Sequence, residues 1–196
     1  GIQTKNDILS IHFSESELDH VLQDFQQLNI EELKTKYSLK DTSGWNVKKA
    51  KESLLKNFDK TNIIYRPFDI RVSILQSESG GFIGRSRFDT SKHFLKENIG
   101  LLSSRTIPAN QNFDRAFVTR FPADIHSASD QTYVFPLYIY PAEGESPRVE
   151  QISVSRTPNL NLSIARNIAN ALGAVYYPVV EYPTKGKDKR LTPEEI

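Results

Sequence analysis

The chain has 196 residues, 38% of them hydrophobic, which is enough to bury a core and compatible with one domain or one and a half. It contains no cysteine, which excludes a disulfide framework and a thiolate zinc site, and no apolar run approaches the roughly 20 residues of a membrane span. The formal net charge of +1 hides an uneven distribution: residues 61–120 hold nine basic and five acidic residues, seven of the basic ones being Arg, while the flanking thirds are slightly acidic.

The composition reads as soluble and cytoplasmic, with no membrane partner. The start at Gly1, without an initiator Met or a signal peptide, reads as a piece of a longer polypeptide.

The first third has a helical period. After a strand-like opening over Ile8–Phe13, Ser14 and Glu17 have capping-box spacing, and Leu18, Val21, Leu22, Phe25 and Leu28 follow on one stripe. Asn29 with Glu32 repeats the signal for a shorter helix to about Tyr37. A third helix is expected to place Val47, Ala50, Leu54, Leu55 and Phe58 on one face, with lysines opposite.

From residue 62 the period becomes strand-like, with runs at 63–74, 99–104, 116–119 and 132–140. Alternation within the first run assigns Ile64, Phe68, Ile70, Val72 and Ile74 to one face. Gly80, Gly81 and Gly84 suggest a hairpin or mobile loop, followed by a short helix around Ser91–Glu97. Residues 140–151 read as a polar link. Asn159 or Asn161 then caps a helix burying Leu162, Ile164, Ala165, Ile168, Ala169 and Leu172, ended by Gly173. AVYYPVV is a strand, TKGKDKR a basic disordered stretch, and LTPEEI the start of a further helix.

The expected fold is α+β: an N-terminal helical layer followed by a mixed, mainly antiparallel β-sheet with one or two packed helices. Residues 1–60 form a helical spacer or coupler, and 61–196 an α/β domain.

No stretch supplies a reaction. A phosphate loop, a G-x-S-x-G elbow, an H-E-x-x-H pair and the asparagine-proline-proline-aromatic loop of adenine methylation are all missing from the sequence. His12, His20, His93 and His126 lack ligand spacing, and the E-x-K at Glu32–Lys34 falls on a helix surface. Neither a catalytic nor a metal residue is assigned.

Several ordered blocks carry a resemblance: GIQTKNDILSIHF, LKDTSGWNVKKAK, IIYRPFDIR, KENIGLLSSRT, FPLYIY and LTPEEI. Together they resemble the C-terminal specificity (target recognition) region of Type ISP restriction-modification enzymes and related single-chain adenine-specific DNA methyltransferases. A departure follows the glycine loop, where the family often has Arg-Pro-Arg and this chain has Gly84-Arg85-Ser86-Arg87.

The resemblance implies a module that grips double-stranded DNA for a parent methyltransferase, translocase and nuclease. The remaining domains of that polypeptide would be its other partner. Cofactors are implied for the parent alone: S-adenosylmethionine, ATP and Mg. On this reading Lys92, Lys96, Arg115 and Arg120 are phosphate candidates, and Arg85, Arg87, Asn110, Gln111 and Asn112 lie in loops that could reach base edges. Arg105 closes the strand block and joins the DNA-binding set. Tyr65, Arg66, Asp69 and Arg71 are structural signature residues, with Asp69 placed for an internal ion pair and Tyr65 and Arg71 possible phosphate ligands. The alternative reading is a spacer or docking domain without base readout; an independent hydrolase is disfavoured by the missing chemistry.

Overall fold

The computed structural model describes residues 1–104, 116–128, 131–141, 156–177, 190–191 and 193. The chain divides into two compact units, Gly1–Phe135 and Pro136–Ile196.

The first unit opens with a single helical turn, α1 (Asp7–Ser10), where a strand was expected. Thr4 donates its hydroxyl to Asp7, and the Leu9 and Ile11 amides bond back to the Asn6 and Asp7 carbonyls, which closes the turn locally. Within residues 8–13, His12 pairs in β fashion, exchanging two backbone bonds with Val72.

Helix α2 (Glu15–Gln27) buries Leu18, Val21, Leu22 and Phe25, the expected stripe. The Ser14 side chain accepts from the Glu17 amide at 3.3 Å, while the Glu17 carboxylate accepts from the Phe13 amide at 2.9 Å. Helix α3 (Ile30–Tyr37) carries a complete capping box between Asn29 and Glu32. Lys51 closes the other end of α2, its ammonium donating to the carbonyls of Phe25, Gln26 and Leu28.

Helix α4 (Val47–Ser53) is shorter than its apolar pattern suggests. Ser53 turns inward, donating to the Ala50 carbonyl at 2.8 Å and accepting from the Phe82 amide at 2.8 Å. The helix therefore ends there. Leu55 is left 84% exposed, and Phe58 begins the next strand instead of extending the helical stripe.

Strands β1 (Phe58–Arg66) and β2 (Asp69–Gln76) form an antiparallel hairpin with Ile63 opposite Arg71 and Ile64 opposite Ile70. Alternation misjudges this hairpin. Val72 to Gln76 are buried on both faces, because α1, α2 and α5 (Phe88–Ser91) all pack against β2. Ile63 is fully buried, whereas Phe68 and Ile70 are exposed near the tip, beyond the reach of the helices.

The glycine loop is not open. Phe82 and Ile83 are fully buried, the Gly80 amide bonds the Gly84 carbonyl, and Gly84 in turn bonds Thr4. The Phe82 ring meets Phe25 edge-on at 5.3 Å, joining the loop to α2 in one core. Each such buried side chain contributes about 1.5–3 kcal/mol.

After α5 a 3-10 turn runs over Lys92–Leu95, so the helical segment starts three residues before the expected Ser91. Strands β3 (Gly100–Ser104), β4 (Phe117–Thr119) and β5 (Thr132–Pro136) make a second sheet in the order β4-β3-β5, with β3 and β4 antiparallel.

In the second unit β6 (Tyr138–Ile139) pairs antiparallel with β7 (Thr157–Pro158). Asn161 caps α6 (Leu162–Ala171), and Gly173 follows at φ +64°, the left-handed exit that glycine takes without strain. β8 (Val175–Tyr176) pairs in parallel with β9 (Arg190–Leu191). Only Ala165 and Ala169 of α6 are buried, against Ala174 and Tyr176. Leu162, Ile164, Ile168 and Leu172, expected inside, are exposed, because the small alanines let the helix lie close on β8 and leave the longer side chains off the contact. The polar link and the TKGKDKR and LTPEEI stretches lie wholly or mostly outside the described residues.

The helices and small sheets, with mainly antiparallel pairing, make this a mixed α+β fold.

Candidate nucleic-acid interface

The signature hairpin tip is cross-braced. Arg71 donates two hydrogen bonds to Asp69, at 2.5 and 3.0 Å, and its guanidinium lies over the Phe13 ring at 3.4 Å. Arg66 pairs not with Asp69 but with Asp124, at 2.9 Å, while stacking on Tyr65 at 3.8 Å. The Tyr65 hydroxyl donates to Asp7 at 2.7 Å.

These contacts move the titrations. The Asp69 carboxyl is held below its ordinary value, chiefly by its hydrogen bond from Arg71. The Tyr65 hydroxyl is raised, first by its bond to Asp7 and then by burial. Asp124 is raised: burial outweighs both the His126 amide and the Arg66 guanidinium.

Beside α5 and β5 lies a polar recess of about 260 Å³, lined by Arg85, Arg87, Thr90, Gln131 and Tyr133 among others. Its lining contains no Asp or Glu among the described residues. Arg85 is placed by a two-bond backbone bridge to Gln3, at 2.8 and 2.9 Å. Arg87 precedes α5 at φ +50°, and its carbonyl accepts from the Thr90 and Ser91 amides. A non-glycine residue in this region costs about 1–2 kcal/mol. Gly1 also lines the recess.

Of the residues predicted to touch DNA, Arg85 and Arg87 share this recess. Lys92 and the exposed Lys96 bracket the 3-10 turn and do not line it, and the exposed Arg120 follows β4. Arg105, Asn110, Gln111, Asn112 and Arg115 lie outside the described residues. Thr90, Gln131 and Tyr133 were missed: they carry no motif, and residues 87–90 meet 131–133 only through the tertiary fold.

Among the described residues no group of three His, Cys, Asp or Glu is arranged to hold a metal ion. The glycine loop is no phosphate cradle, since a Cβ at Gly81 would stand 2.3 Å from Ser53 and one at Gly84 2.2 Å from Lys5. No helix among the described residues is long and apolar enough to cross a membrane.

The fold is an α+β domain whose polar recess gathers two arginines, Arg85 and Arg87. The chain belongs to the Type ISP C-terminal specificity domain family, whose model matches residues 1–196. No curated protein matches it significantly. Similar solved structures include a DrdV–DNA complex (18% identity, TM-score 0.51, covering 74% of this chain and 15% of that one). A nuclease-deletion mutant of the Type ISP restriction-modification enzyme LlaGI with a DNA substrate mimic matches at 17% identity and TM-score 0.52, over 89% of this chain and 15% of that one. The ATP-dependent Type ISP enzyme LlaBIII bound to DNA matches at 14% identity and TM-score 0.52, over 89% of this chain and 13% of that one. The chain thus spans a small fraction of these proteins, and the likeness is one of fold.

Proposed function

We propose that this chain is the duplex DNA-binding target recognition domain of a Type ISP restriction-modification enzyme, directing an adenine-N6 methyltransferase, translocase and nuclease to their site. The observation that carries the reading is the convergence of Arg85 and Arg87 on one recess, lined by no Asp or Glu among the described residues, in a member of the specificity-domain family. Guanidinium groups in a concave polar site suit either phosphate or the acceptor edge of guanine. The domain itself performs no chemistry on this reading. S-adenosylmethionine, ATP and Mg serve other parts of the parent polypeptide.

The test exchanges residues 80–120 for those of a relative with a different site within the parent enzyme, and maps the methylated adenine. A changed site supports the proposal, and unchanged specificity overturns it.

A second reading has its own observation. Phe25, Ile30, Leu54 and the exposed Leu55 line an apolar recess of about 670 Å³ between α2, α3 and α4. Such a groove suits docking of another domain rather than DNA. Crosslinking to DNA through residues 1–60, and never through 80–120, would favour it.

A further inference from the structure

We propose that Phe68 is an aromatic wedge that inserts into the base stack of bound duplex DNA, an inference that rests on the DNA-recognition reading above. Phe68 stands at the tip of the β1–β2 hairpin with 90% of its surface exposed and φ at +62°. Pro67 presets the preceding turn position, and the next position would be filled without strain by Gly or Asn. A phenylalanine there is unfavourable twice over, in its backbone and in its hydration, and among the described residues the fold leaves its ring 90% exposed.

The ring is nevertheless held out firmly. Its edge meets the Phe117 ring at 5.9 Å and 88°. Beneath it the strand ends are pinned by Arg66 to Asp124, by Asp69 to Arg71 and by Tyr65 to Asp7. A braced ribbon presenting one exposed ring is the form of an intercalating side chain, which unstacks a base step and fills the gap. Nucleic acid is favoured over a protein partner by the ring's setting. Residues 61–120 are the cationic third of the chain, with nine basic and five acidic residues, although Arg66 and Arg71 beside the ring are themselves paired with Asp124 and Asp69.

The test uses the 196-residue chain and a pool of randomised 30-base-pair duplexes. The enriched sequence is then resynthesised with 2-aminopurine at each adenine in turn. Wild-type protein should raise the 2-aminopurine fluorescence at one step. Phe68→Gly and Phe68→Asn, which relax the backbone and should not lower the melting temperature, should abolish that rise and weaken binding roughly tenfold without changing the salt slope. Phe68→Leu, an apolar wedge with the same backbone penalty, should keep part of the signal. Wild-type fluorescence and affinity in both the Gly and Asn variants would overturn the wedge while leaving DNA recognition standing. Failure of the wild-type chain to bind or enrich any duplex would overturn both.

Discussion

The guanidinium of Arg66 lies 2.9 Å from the carboxylate of Asp124, a residue 58 positions further along the chain. The pair is unequal: the Asp124 side chain is 4% exposed and that of Arg66 39%. Asp124 also accepts from the His126 amide at 2.9 Å, and its own amide donates to the Ile64 carbonyl at 2.8 Å. The bridge therefore ties the signature hairpin to residues 122–126. Arg66→Ala should lower stability by about 1–3 kcal/mol, because it strands a buried carboxylate that burial already holds above its ordinary value. A urea titration at neutral pH checks this.

Acid should act through Asp69. Its folded pKa lies below the ordinary 3.8, so its contribution is complete above 3.8 and is lost as pH falls through the depressed value. Asp69→Asn should flatten the stability profile below about pH 4. Asp124 works in the opposite sense, since its raised pKa favours the folded state as it protonates. Urea midpoints followed from neutral to acidic pH in wild type and variant separate the two.

The glycine loop should be intolerant of a single methyl group. A Cβ at Gly81 would stand 2.4 Å from the Ser53 hydroxyl, which accepts the Phe82 amide. Gly81→Ala should cost about 1–3 kcal/mol through overpacking. Ser53→Ala should cost about as much by leaving the Phe82 amide unpaired. The double variant should lose less than the sum, which thermal melts of all four proteins measure.

At the recess, stability and binding should move in opposite directions. Arg87→Gly removes a strained φ of +50° and should stabilise the fold by about 1 kcal/mol. It also removes a guanidinium from the recess. If Arg87 holds a phosphate, the slope of log K against log salt should fall by about one. Arg85→Ala, where no backbone relief accompanies the loss, isolates the charge effect. Fluorescence anisotropy across a salt series reads both.

What could be read from residue order was local. Ser14, Asn29 and Asn161 announced helix starts because capping chemistry acts within three residues, and Gly173 announced a helix end because a left-handed φ suits it. The Asp69–Arg71 pair was legible for the same reason. The partner of Arg66 was not legible, because Asp124 is distant in sequence. Burial on β2 was misread because alternation assumes one covered face, whereas α1, α2 and α5 all pack against this strand.

Residue types and their spacing by themselves determined the caps, the periods, the cationic centre and the ordered blocks of the specificity-domain family. The tertiary structure alone decided that the glycine loop is core, that Phe68 points outward and that Arg85 and Arg87 share a recess with Gln131 and Tyr133. The physical reason is range. Hydrogen-bond capping and backbone strain act between neighbours, whereas burial and convergent charge depend on which distant segments the packing brings together.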